Sequence, residues 1–196
     1  MTVLEDRIAM AEVSGELTLD VMFEWLEKMP IPEGIRVEIV GGNIFMSPQR
    51  DTHWEIIRRV VRALEDKFGM MAKIFSDVRI DFPGHLNGFC PDVAKLREGA
   101  QKSPEGHWQH EDVEFVAEVI SKGTATNDYG LKKAAYAKAE VPVYLIVDPY
   151  QGRCHVYTNP KDDDYATETK LPFGEEVNLT DTVVGLTLKT TDFPRD

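Results

Sequence analysis

The chain has 196 residues, 42% of them hydrophobic, and sets 34 acidic against 22 basic residues for a formal net charge of -12. Such a length and apolar content predict one domain with a sizeable core, and the acidic balance excludes a protein that binds nucleic acid by non-specific cationic attraction. Cys90 and Cys154 stand far apart without CxxC spacing, which argues against a disulfide framework or a zinc ribbon. No apolar run reaches the length of a membrane span and none at the N-terminus resembles a signal, so a cytoplasmic location is expected and no membrane contact.

In chain order, residues 1–17 read as a loose N-terminal arm and residues 18–196 as a single domain. In TLDVMFEWLEKM, Leu19, Met22, Phe23 and Leu26 fall at helical spacing behind a Thr18 cap, and Pro30, Pro32 and Gly34 end the helix. RVEIV and NIFMS flank Gly41-Gly42, a hairpin signal, and Glu38 taken alone reads as a solvent-facing strand acid. From Asp51 to Phe68, Trp54, Ile57, Val60, Val61, Leu64 and Phe68 recur every three or four residues, which predicts a helix capped by Asp51 or Thr52. His53 falls in its first turn, ordinarily a surface position.

KIFSDVRIDF, residues 73–82, alternates and predicts one strand, and the turn PGHLNG leads into FCPDVAKL. Residues 97–112 read as an exposed loop; its His107 and His110 lack a cysteine or a helical register and do not predict a metal site. After VEFVAEVIS, a helix from about Asp128 to Ala139 and a buried strand in VPVYLIVDP complete a βαβ unit. Beyond Pro149, RCHVYT, YATETKL and VVGLTLKTTDF predict antiparallel strands beside the sheet. Two basic clusters, Arg58, Arg59, Arg62 and Lys67 on one helix and Lys132, Lys133 and Lys138 on another, could form local cationic patches or ordinary solvated faces.

The chemistry concentrates between Cys90 and Ser121, where each of two apolar strands carries one acid, Asp92 and Glu118. In VEFVAEVIS, Glu118 shares a face with Val116 and Ile120 while Val113, Phe115, Ala117 and Val119 occupy the other. A strand apolar on both sides is usually central to a covered sheet, so a carboxylate there needs a partner or a metal. If the two strands are neighbours, both acids can hold a magnesium ion whose shell is completed by substrate phosphates, and whose bound water attacks a phosphodiester in line. A lysine would orient that water; Lys122, just past the strand, and Lys132, on the next helix, both qualify. Asp128, Lys132 and Tyr136 are spaced by four and share a helical stripe, although Asp128 and Lys132 taken alone read as an ordinary surface pair.

The order of RVEIVGGNIFMSP, a helix opening with His53, FCPDVAKL, EFVAEVIS and DYGLKKAAYAKAEVPVYLIVDP resembles the bacterial Uma family of restriction-endonuclease-type proteins, within the PD-(D/E)XK nuclease superfamily. The resemblance runs roughly from Arg36 to Pro149. It implies an α/β fold with a restriction-endonuclease-like mixed β-sheet core flanked by helices, an N-terminal hairpin and C-terminal antiparallel strands. It also implies an endonuclease that cleaves DNA with Mg2+, or with Mn2+ in its place. On that pattern Pro91-Asp92 matches the PD motif and Glu118 the (D/E) position, both as metal ligands. Lys132 matches a lysine displaced onto the next helix within D-x3-K-x3-Y, Tyr136 its tyrosine, Glu38 the acid of the hairpin motif and His53 the histidine that opens the helix. Asp92, Glu118, Lys132 and Glu38 are thus the expected catalytic group, and His53, Tyr136 and Lys122 the expected substrate-binding residues.

This chain departs from the family at Lys122, where proline is usual, and at Val143 and Leu145, where Glu and Trp are usual. A homodimer is expected of nucleases that pair to cut both strands. The rival expectation, supported by the acidic net charge, is a catalytically silent nuclease-fold binding or scaffold protein; an Asp92 or Glu118 buried against an arginine would favour it.

Overall fold

The computed structural model describes residues 17–48 and 50–196, so nearly all of the expected N-terminal arm lies outside the described residues. α1 (Leu19–Glu27) starts where the Thr18 hydroxyl accepts from the Val21 N–H at 3.3 Å, and it buries Met22 and Leu26. β1 (Ile35–Val40) and β2 (Asn43–Pro48) pair antiparallel with Val40 opposite Asn43. Their two-residue turn holds Gly41 at φ 58° and Gly42 at φ 77°, the primed geometry that glycine adopts without steric cost. α2 (Asp51–Phe68) turns Ile56, Ile57, Val60 and Leu64 inward; its N-cap is Arg50 rather than Asp51 or Thr52, since the helical backbone already begins at Asp51.

The expected strand over residues 73–82 is instead two. β3 (Ile74–Phe75) and β4 (Ile80–Phe82) break at Asp77, which sits at φ 56° and donates its N–H to the Pro91 carbonyl at 3.0 Å. The halves pair in different sheets, because period-two alternation marks an extended chain without choosing its neighbour. β5 (Asn87–Phe89) and β6 (Val93–Leu96) follow. The stretch expected to be a loop also contains β7 (Trp108–Gln109), where Trp108 pairs in parallel with Ile80 and stacks on Phe75 at 5.0 Å between ring centroids.

β8 (Val113–Val119) leads to a helical segment that starts at α3 (Ala125–Asn127), widens into a π-helical turn (Asp128–Lys132) and finishes as α4 (Lys133–Lys138). β9 (Val143–Asp148), β10 (Arg153–Lys161), β11 (Asp164–Pro172), β12 (Glu176–Asn178) and β13 (Thr187–Lys189) complete the chain.

The central sheet has the order β11-β10-β9-β8-β6-β3, with β8 and β9 parallel and the other neighbours antiparallel. A second sheet runs β2-β1-β5-β4-β7, and β12 pairs with β13. One side of the central sheet packs Phe115, Ala117, Val119, Val143 and Leu145 against α2 and against Val177, Leu188 and Phe193 of the C-terminal region. The other packs Val116, Ile120, Tyr144 and Ile146 against α4 and the second sheet through Tyr136, Phe82 and Phe89. An irregularity between Lys95 and Leu96 shifts the β6–β8 register, so Val113 joins Val116 and Ile120 instead of Phe115. Among the described residues no helix is long and apolar enough to cross a membrane.

Candidate active site

β6 and β8 are neighbours, with Val93 opposite Ala117, and this register sets Asp92 beside Glu118. The Asp92 N–H donates to Glu118 Oε2 at 3.3 Å and the Val119 N–H donates to Asp92 Oδ2 at 2.7 Å, with both acids fully buried. Glu118 lies on the α4 side of the strand, between Val116 and Ile120, and the Tyr136 hydroxyl donates to its Oε1 at 2.6 Å.

The hairpin delivers a third acid to the same place. Glu38 is 2% exposed, so the expectation of a solvent-facing acid is corrected: it shares its strand face with Val40, and that face packs into the core against the central sheet, where Glu38 meets Lys132. The π-helical turn brings in Lys132, whose Nζ lies 2.6 Å from Glu118 Oε1, 3.0 Å from Glu38 Oε2 and 3.1 Å from Asp128 Oδ1. Lys132 is fully buried, so Asp128 and Lys132 are no surface pair and Lys132 belongs to no basic patch with Lys133 and Lys138. π turns recur at functional sites because the widened turn re-aims side chains that an α-helix would spread. The Tyr144 hydroxyl, donating to the Asp128 carbonyl at 2.9 Å, ties this turn to β9.

α2 contributes His53, whose Nε2 lies 2.8 Å from Asp92 Oδ1 with its side chain 11% exposed, not an ordinary surface histidine. The structure therefore brings together Asp92, Glu118, Lys132, Glu38, Tyr136 and His53. Lys122 stays apart, exposed, with its Nζ 5.0 Å from the Tyr150 ring centroid. His107 and His110 line a separate cleft with Asp20 and Asp81. Arg58, Arg59 and Arg62 line another with Lys189, Asp66 and Asp192, where Arg59 pairs with Glu55 at 3.2 Å.

Arg36 is the member that sequence reasoning missed. Its Nη1 pairs with Asp92 Oδ1 and lies 3.6 Å from Glu118 Oε2, while Nη2 lies 3.9 Å from Glu38 Oε1. A charged residue two positions before Glu38, hence on the same strand face, in an otherwise apolar run was the available signal.

Burial pushes the Asp92 carboxyl up, but the Arg36 guanidinium, His53 and the Val119 N–H outweigh it and hold the group down at about 2. Burial pushes Glu118 up to about 8; Lys132 opposes the rise and Asp92 and Asp128 add to it. Burial also raises Asp128, against the pull of Lys132. Burial works against the Lys132 ammonium, yet Glu118, Glu38 and Asp128 together hold its proton more tightly than usual.

The donor set fits a hard divalent cation. Four carboxyl groups, on Glu38, Asp92, Glu118 and Asp128, share the two permanent cations Arg36 and Lys132, so oxygen donors outnumber the cations that meet them. Among the described residues no three His, Cys, Asp or Glu side chains converge as a metal cage. The fit is therefore to an ion held by two carboxylates with substrate oxygens, magnesium's usual mode, rather than to an all-protein site.

The mixed sheet with flanking helices and an N-terminal hairpin is a restriction-endonuclease-like fold. A solved structure described as "a putative nuclease belonging to DUF820 from Anabaena variabilis ATCC 29413" shares that fold with a TM-score of 0.67, over 90% of this chain and 97% of its own, at 18% identity. The family profile described as "Uma2: Putative restriction endonuclease" matches residues 23–191, and the chain belongs to the Uma2 family. No functionally curated protein matches the chain.

Proposed function

We propose that the chain is a divalent-metal-dependent endonuclease that hydrolyses phosphodiester bonds in DNA at the cluster of Asp92, Glu118, Lys132 and Glu38. One observation carries this: Lys132 Nζ and the Tyr136 hydroxyl both meet Glu118 Oε1 at 2.6 Å, while the backbone of Asp92 bonds the other oxygen of the same carboxylate. Membership of a family described by restriction endonucleases supports a nucleic-acid substrate. Magnesium or manganese, held by Asp92 and Glu118, would supply Lewis acidity and a more acidic bound water.

The remaining work falls to the chain itself. His53 and the Val119 N–H fix the two oxygens of Asp92. Tyr136 and Lys132 fix Glu118, and Glu38 and Asp128 keep Lys132 charged, so it acts electrostatically, orienting Glu118 and countering charge that develops on phosphate. Lys122, exposed beside the Tyr150 ring, has no part in the chemistry. A cytoplasmic location and the pairing of two copies to cut both strands belong to the same proposal.

The test is nicking of supercoiled plasmid in Mg2+ or Mn2+ by the parent chain and by Asp92→Ala. Loss of cleavage in a variant that stays folded is the expected result, and equal activity would overturn the proposal. A second reading, a silent nuclease-fold binding protein, is favoured by the burial of Asp92 against Arg36 and by the net charge of -12. It requires that neither metal support cleavage by the parent chain.

A further inference from the structure

Arg36 lies where the proposed metal would be held. Its Nη1 pairs with Asp92 Oδ1, lies 3.6 Å from Glu118 Oε2 and donates to the Cys90 carbonyl at 3.4 Å. A guanidinium and a divalent ion cannot share that space at the same oxygens without strong repulsion between like charges in a water-poor setting.

Two further observations give the side chain somewhere to go. Its Nε is 3.9 Å from Asp77 Oδ1, and the Asp77 side chain is 34% exposed. Arg36 and Asp77, with Gly34, Val37 and Cys90, line an open cleft of about 410 Å³, so one side of the guanidinium faces the buried acids and the other a space large enough to receive it. Asp92 does not depend on Arg36 for its position, because His53 holds Oδ1 at 2.8 Å and the Val119 N–H holds Oδ2 at 2.7 Å.

Resting on the metal-dependent reading above, we propose that Arg36 is the resident counter-ion of the site, and that a divalent ion binds only when Arg36 withdraws toward Asp77 into this cleft. The apparent affinity for metal is then the intrinsic affinity multiplied by the fraction of molecules with Arg36 withdrawn. Asp92 and Glu118 thus keep Arg36 as their cationic partner until metal arrives.

The test is Mn2+ binding by the full chain without DNA, measured by calorimetry or by loss of the free-ion paramagnetic signal. Ionic strength is kept above about 0.15 M, where exposed charges are screened beyond about 8 Å. Arg36→Gln should bind Mn2+ about tenfold more tightly or better, and should gain more thermal stability from the ion than the parent does. Asp77→Asn, which removes the outer seat, should bind about threefold more weakly at an unchanged melting temperature in chelator. If the parent binds Mn2+ as tightly as a folded Arg36→Gln, the counter-ion role is overturned while the metal site stands. If neither binds, the metal reading itself falls and takes this inference with it. Should Arg36→Gln fail to fold, Asp77→Asn decides, and unchanged affinity there overturns the proposal.

Discussion

Two helical regions of this chain each set an acid four residues before a lysine, and their fates are opposite. Glu24 and Lys28, at the end of α1, meet at 3.6 Å with side chains 68% and 71% exposed. Asp128 and Lys132 meet at 3.1 Å with side chains 3% and 0% exposed. Spacing aligns the partners in both places; surroundings decide what the pair is worth. The exposed pair exchanges water for a screened attraction and contributes a few tenths of a kcal/mol, roughly. The buried one is a fragment of a network in which Lys132 also answers Glu38 and Glu118, so removing it strands charges that water cannot reach.

The largest effect expected from that contrast is Lys132→Met. It should abolish metal-dependent cleavage and lower the free energy of unfolding in urea by about 3–5 kcal/mol. A loss below about 1 kcal/mol would erase the distinction between the two pairs.

Next comes pH. Glu118 is raised from 4.5 to about 8, so the folded chain holds a proton there that the unfolded chain releases. Its contribution is complete below about 4.5 and is lost as pH rises toward 8, with a slope of up to about 1.4 kcal/mol per pH unit in chelator. Glu118→Gln should flatten that slope. Asp92, lowered from 3.8 to about 2, runs the other way: its contribution is present above 3.8 and disappears as pH falls toward 2. Urea unfolding at stepped pH reads both windows, and an unchanged slope in Glu118→Gln would move the raised group elsewhere.

A smaller change, Tyr136→Phe, removes one bond to a buried carboxylate and should cost about 1.5–3 kcal/mol of stability with reduced cleavage. The smallest is Lys28→Ala, expected to stay within about 0.5 kcal/mol of the parent. Lys122→Gln should leave cleavage at the parental rate; a loss would return the catalytic lysine to the end of β8.

Several site residues were visible in the sequence for a local reason. Asp92 and Glu118 interrupt apolar strands, and a charged group in such a setting signals a partner or a metal. Glu38, His53 and Lys132 gave no such signal, since a hairpin acid, a first-turn histidine and a lysine four residues past an aspartate are commonplace on surfaces. Only the ordered likeness to a family lifted them. Arg36 shared the face of Glu38 but was lifted by neither ground, since an arginine at the start of a hairpin reads as solvated until another sheet is laid over it. The divided strand at Asp77 was missed similarly, because alternation survives a bend that sends its two halves to separate sheets.

The sequence by itself determined the helices of α1 and α2, the glycine-turned hairpin, the central β8 and β9 strands and the pairing of two embedded acids with a family pattern, because each of these depends on neighbours within a few positions. Which cations meet those acids was decided only by the tertiary structure. Glu38 and Lys132 are 94 residues apart, and their contact exists because the hairpin and the π-helical turn pack on one side of the same sheet. Local periodicity specifies which face of an element is buried, and only the packing of whole elements specifies what that face is buried against.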